Sequence, residues 1–115
     1  MTIRILHNPR CSKSRATLTL LQEQGIEPEI TLYLESPPDA EELRHILNLL
    51  GMKPREFMRK GEAEFSEQGL DDETLSDDEL INAMVATPRL IQRPIVLAGD
   101  RAAIGRPPES VLDIL

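Results

Sequence analysis

His7-Asn8-Pro9-Arg10-Cys11-Ser12-Lys13-Ser14-Arg15 lies where an apolar strand gives way to a helical pattern, and it holds the one cysteine of the 115-residue sequence. Ahead of it, Ile3, Ile5 and Leu6 read as a short buried strand. Behind it, Ala16, Leu18, Leu20 and Leu21 recur at helix spacing until Gly25 can end the helix. Cys11 therefore falls at or just before a helix N-terminus, where unpaired backbone N–H groups and the helix dipole favour negative charge. Arg10, Lys13 and Arg15 add positive charge nearby. These conditions favour thiolate, the nucleophilic form of cysteine, and they suit an incoming anion. A core cysteine would have apolar neighbours, whereas this one has basic and hydroxyl-bearing ones.

The length fits one domain over residues 1–115, with a core that needs no staples. A single cysteine excludes an internal disulfide, and the N-terminal residues lack the apolar segment of a secretory signal, so a cytoplasmic protein is expected. No apolar run approaches membrane-spanning length. The 13 basic and 20 acidic residues give a net charge of −7, which excludes nucleic-acid binding through a broad basic face. No Cys/His cluster or acidic spacing suits a metal, and no bound cofactor is expected.

Outward from the cysteine, Pro28 to Leu34 alternates, with Ile30, Leu32 and Leu34 on one face and Thr31 and Tyr33 on the other, as a half-buried strand would. Asp39 and Glu42 resemble a capping box before the apolar stripe Leu43, Ile46, Leu47 and Leu50, which Gly51 can end; His45 lies within this helix. Pro54 to Lys60 reads as a short helix anchored by Phe57 and Met58. Gly61 to Glu79 reads as an acidic, solvated surface. Ser76 and Glu79 cap a further helix through Leu80, Ile81, Met84 and Val85, which Thr87-Pro88 ends. Pro94–Ala98 and Arg101–Ile104 flank Gly99-Asp100 as a hairpin with a type II′ turn, and Val111, Leu112, Ile114 and Leu115 form a last short helix. The predicted class is α/β and thioredoxin-like. A mixed sheet of about four strands, βαβ then ββα, is flanked by helices, with a helical insertion between the halves.

Cys11-Ser12-Lys13-Ser14 has the spacing of a thioredoxin-type C-x-x-C with a hydroxyl in place of the second thiol. Ser14 could donate a hydrogen bond to the sulfur or satisfy first-turn backbone groups. His7 could lower the thiol pKa by charge, orient the turn by hydrogen bonding, or be purely structural. The phosphatase loop Cys-x5-Arg is excluded, because the residue at its arginine position is Thr17.

Five separated blocks stand in order along the chain: His7-Asn8-Pro9-x-Cys11-x-x-Ser14-Arg15, Leu32-Tyr33-Leu34-Glu35-x-Pro37-Pro38, Met58-Arg59-Lys60, Ile91-x-Arg93-Pro94-Ile95-Val96, and Arg106-Pro107 with Val111-Leu112-Asp113-Ile114-Leu115. Together, over nearly the whole chain, they closely resemble the glutaredoxin- and glutathione-coupled arsenate reductases, in their short-member branch. The resemblance implies that Cys11 attacks arsenate to form a cysteinyl thioarsenate, with Arg59, Arg93 and Arg106 holding the oxyanion. Guanidinium forks suit that role, since they match paired oxygens and stay charged. It also implies a cis-proline at Pro94, which would bring Arg93 close to Cys11, with His7, Ser14 and Arg15 in support. A lone cysteine cannot supply two electrons by an internal disulfide. The resemblance accordingly implies glutathione as co-substrate and glutaredoxin as the partner that resolves the mixed disulfide. The chain ends at Leu115, short of the C-terminal extension of the better-known members.

Two other readings use the same fold. One is a glutathione-dependent thiol oxidoreductase acting on another substrate, which would need Cys11 but not the three arginines. The other is a non-catalytic RNA polymerase-binding regulator with a C-x-x-C switch, against which Ser14 counts.

Overall fold

A computed structural model describes residues 2–115. The chain forms two compact units: the described residues up to Ser36 together with Arg93–Leu115, and Pro37–Gln92.

The first unit is built on a four-stranded sheet. Strands β1 (Ile3–His7), β2 (Glu29–Leu32), β3 (Ile95–Ala98) and β4 (Arg101–Ile104) lie in the order β2-β1-β3-β4. β1 runs parallel to β2 and antiparallel to β3, and β3 and β4 form the hairpin. Helix α1 (Ser12–Glu23) connects the parallel pair. The thioredoxin-like class holds: a βαβ half and a ββα half share one mixed sheet, with the helical insertion between them.

Local chemistry accounts for most of these elements. Gly25, at φ 77°, follows α1 and takes the left-handed conformation that suits glycine. In the hairpin, Gly99 has φ 62° while Asp100 does not have positive φ, which is the type II′ pattern. Ile5, Leu21, Val96, Ala98, Val111 and Ile114 close the core of this unit. Burying one such aliphatic side chain contributes on the order of 1.5–3 kcal/mol. The chain ends in a 3₁₀ helix, Pro108–Ile114. It buries Val111 and Ile114, three residues apart as that helix requires, and leaves Leu112 and Leu115 exposed.

The facing of β2 differs from expectation. Ile30 is 47% exposed and Leu34 is 41% exposed, while Tyr33 is fully buried. The alternation breaks because the strand stops at Leu32, whose carbonyl accepts the N–H groups of Glu35 (3.0 Å) and Ser36 (2.9 Å). Tyr33 and Leu34 therefore lie in a turn, outside the pleat.

The second unit is helical: α2 (Ala40–Leu50), α3 (Pro54–Phe57), α4 (Ala63–Glu67), α5 (Asp77–Ala86) and a 3₁₀ turn, Pro88–Leu90. Asp39 caps α2 by accepting Glu42 N–H at 2.8 Å, and Gly51 ends it at φ 67°. Ser76 and Glu79 form a full capping box on α5. Helix α4 was not expected. It arises inside the acidic stretch, which is less uniformly solvated than it reads, because Phe65 and Leu70 bury themselves there. Among the described residues no helix is long and apolar enough to cross a membrane.

Candidate active site

β1 ends at His7, a turn follows, and Cys11 is the N-cap of α1. The turn closes on Asn8, whose carbonyl accepts Cys11 N–H (3.0 Å) and whose Oδ1 accepts Arg10 N–H (3.0 Å). Asn8 thus shapes the loop through both its backbone and its side chain, as an Asn-Pro turn signal allows. No side chain caps α1, so its first-turn donors remain directed toward Cys11.

Cys11 is 9% exposed, and its sulfur is surrounded by donors. Burial pushes the Cys11 thiol up. The backbone N–H of Ser14, a hydrogen bond from Arg93, the backbone N–H of Lys13 and the Arg93 charge outweigh it, so the thiol ends below its ordinary value. Arg106 Nη2 lies 3.6 Å from Sγ, and Arg106 Nε donates to the Arg93 carbonyl at 2.7 Å. Two guanidiniums from the segment that carries β3 and β4 therefore bear on the Cys11 sulfur. The Arg93–Pro94 peptide bond is cis, as is Arg106–Pro107, which the sequence did not signal.

The supporting residues divide between the strand end and the loop. His7 Nδ1 and Ser14 Oγ share a hydrogen bond of 2.6 Å, and Ser14 Oγ also accepts Asn8 N–H at 3.0 Å. The Ser14 hydroxyl is thus engaged with the strand end, and it is the Ser14 backbone that faces the sulfur. Burial and the Arg15 charge lower the His7 pKa, which leaves its ring neutral and directs it to hydrogen bonding rather than to charge. Arg15 donates through Nη1 to the Pro9 carbonyl (2.9 Å) and braces the loop. Arg59 belongs to the second unit. There its Nε pairs with Glu62 (3.2 Å), its Nη1 donates to Gln92 (3.4 Å), and its backbone N–H donates to Leu90 (2.9 Å).

Beside the loop, a cleft of about 310 Å³ is lined by His7, Asn8, Pro9, Arg10, Leu32, Leu34 and Glu35. Among the described residues no group of three or more His, Cys, Asp or Glu side chains is placed to hold a metal ion. The arrangement can hold a tetrahedral anion against a thiolate, with N–H donors below it and guanidiniums beside it.

Comparison with known proteins follows the same lines. The model of the ArsC family matches residues 6–114. The chain is 56% identical over 114 residues to the uncharacterized protein YfgD of Escherichia coli K12, covering 98% of this chain and 96% of that protein. It is 49% identical over 114 residues to the arsenate reductase of Neisseria meningitidis, covering 98% and 97%. A solved structure, arsenate reductase from Vibrio cholerae, superposes with a TM-score of 0.98 at 50% identity, covering 100% of this chain and 98% of that one.

One part of the expected identity is corrected. The glutathione- and glutaredoxin-coupled class, with glutathione as co-substrate, glutaredoxin as partner and a thioarsenate resolved by them, does not stand. Such a relay hands electrons along several cysteines, and this sequence has only Cys11. What the matches carry is the family itself. The chain belongs to the ArsC family.

Proposed function

We propose that the protein reduces arsenate, or an oxyanion of the same shape and charge, at Cys11. The single observation that carries this reading is the 3.6 Å approach of Arg106 Nη2 to Cys11 Sγ. A guanidinium there stabilises the thiolate before the substrate arrives and neutralises the oxyanion afterwards. Arg93 does the same from its own position, and the N–H groups of Lys13 and Ser14 supply fixed donors. Names borne by relatives, such as the arsenate reductase of Neisseria meningitidis, support arsenate as the substrate.

In this reading the Cys11 thiolate attacks arsenic, a sulfur–arsenic bond forms, and one arsenic–oxygen bond breaks with the oxygen leaving as water. The two electrons come from a dithiol outside the chain. One of its thiols attacks the Cys11 sulfur, the sulfur–arsenic pair passes to arsenic, and the second thiol releases Cys11. A cytoplasmic setting, where thiols stay reduced, suits a site that works through one free cysteine.

The test is arsenite formation from arsenate with dithiothreitol as the dithiol, measured by chromatography with arsenic detection. Wild-type protein is expected to exceed the protein-free rate, and Cys11→Ser is expected to fall to it. Equal rates in the two proteins would overturn the proposal.

A further inference from the structure

Between α1 and the loop that carries Arg106 there is no room for a side chain at residue 105. A Cβ on Gly105 would lie 2.7 Å from Pro94 Cγ and 3.1 Å from Thr17 Cγ2, and closer still to Thr17 Oγ1. Gly105 does not have positive φ, so close approach rather than backbone freedom requires a glycine here. Its N–H donates to the Pro94 carbonyl at 2.9 Å. Opposite it, Thr17 is fully buried, and its hydroxyl donates to the Lys13 carbonyl at 2.8 Å. Thr17 is thereby fixed to the first turn of α1, the turn whose N–H groups bear on Cys11. One residue beyond Gly105, the Arg106 guanidinium spans the Arg93 carbonyl (2.7 Å) and Cys11 Sγ (3.6 Å).

We propose that Gly105 and Thr17 are positioning residues for the reaction: their direct packing sets how far Arg106 stands from the Cys11 sulfur. Any side chain at 105 must push the loop away from α1, because Pro94 and Thr17 are both buried and cannot yield into solvent. Arg106 moves with the loop. A guanidinium's pull on a thiolate falls with distance, so a displacement here is read directly at Cys11.

This inference rests on Cys11 and Arg106 forming the reaction centre, and its test reads that pair without arsenate. The pH dependence of Cys11 alkylation by iodoacetamide is measured in wild type, Arg106→Ala, Gly105→Ala, Thr17→Ala and the Gly105→Ala/Arg106→Ala pair. Removing the guanidinium is expected to raise the midpoint by about one pH unit, the order produced by loss of a nearby opposite charge. Gly105→Ala is expected to raise it by about half a unit and to add nothing once Arg106 is gone, since the two act through one contact. In the arsenate assay Gly105→Ala is expected to raise KM about tenfold with a smaller change in kcat, as weakened anion binding requires.

Thr17→Ala opens the packing without adding atoms. It is expected to move the midpoint in the same direction by a smaller step, and it decides the matter if Gly105→Ala does not fold. Wild-type midpoints in the folded variants would overturn the proposal. So would a Gly105→Ala shift of equal size with and without Arg106. If the midpoints move as stated but no protein reduces arsenate, the positioning role stands and the substrate reading falls.

Discussion

Arg106 Nη2 sits 3.6 Å from Cys11 Sγ across 95 residues of sequence. The cysteine comes from the N-cap of α1, just after β1, and the arginine from the loop after the last strand, so the contact exists only once β1 and β3 have paired. The electrostatic setting of Cys11 is therefore a product of the fold and not of its loop alone.

From that contact, Arg106→Ala and Arg93→Ala should each slow arsenate turnover about 10²-fold, the order lost when one donor to a developing oxyanion is removed. Arg106→Lys should recover little, because an ammonium cannot span the Arg93 carbonyl and the sulfur as the fork does. Steady-state arsenite formation checks both expectations.

His7 gives a pH dependence with a defined sign. Its folded pKa is lowered from 6.5 by burial and then by Arg15, so below 6.5 the unfolded chain takes up a proton that the native ring refuses. The unfolded state binds more protons in that window, and stability falls as pH falls through it. His7→Asn should lose that component. The urea midpoint of wild type should therefore drop more between pH 7.5 and 5.5 than that of the variant.

Ser14→Ala removes the one oxygen that meets both His7 Nδ1 (2.6 Å) and Asn8 N–H (3.0 Å) in a buried setting. Leaving those groups unpaired should cost about 1–3 kcal/mol of stability by urea denaturation. The Ser14 backbone N–H still reaches the sulfur, so the Cys11 alkylation midpoint should change far less than in Arg106→Ala.

In the helical unit, Ser76→Ala should cost about 1 kcal/mol, because it breaks one half of the capping box on α5. Equilibrium denaturation measures it, and Cys11 reactivity should be unchanged.

The parts of this structure that were legible in the sequence are those decided by neighbouring residues. The switch from strand to helix at Cys11, the cap at Asp39, the box at Ser76 and the turn at Gly99 each depend on a few adjacent positions. Tyr33 escaped because an alternating pattern does not show where a strand stops, and the turn after Leu32 removed it from the pleat. Helix α4 escaped because Phe65 and Leu70 are two apolar residues in an acidic stretch, too few to set a period. At the site, the thiolate-favouring helix end was legible while its particular donors were not. The sequence left the Ser14 hydroxyl either on the sulfur or on first-turn backbone groups; in the structure it is bound to His7 and Asn8, and the Ser14 backbone N–H faces the sulfur. The approach of Gly105 to Thr17 has no local signature, because it joins segments far apart in the chain.

Whether an oxyanion is held against the Cys11 sulfur by Arg93 and Arg106 is decided by protection. The rate of Cys11 alkylation by iodoacetamide is measured against rising arsenate, with no reductant present. Saturable slowing is expected in wild type, and it should disappear in the Arg93→Ala/Arg106→Ala variant. Alkylation that is indifferent to arsenate in the folded wild-type protein would contradict it.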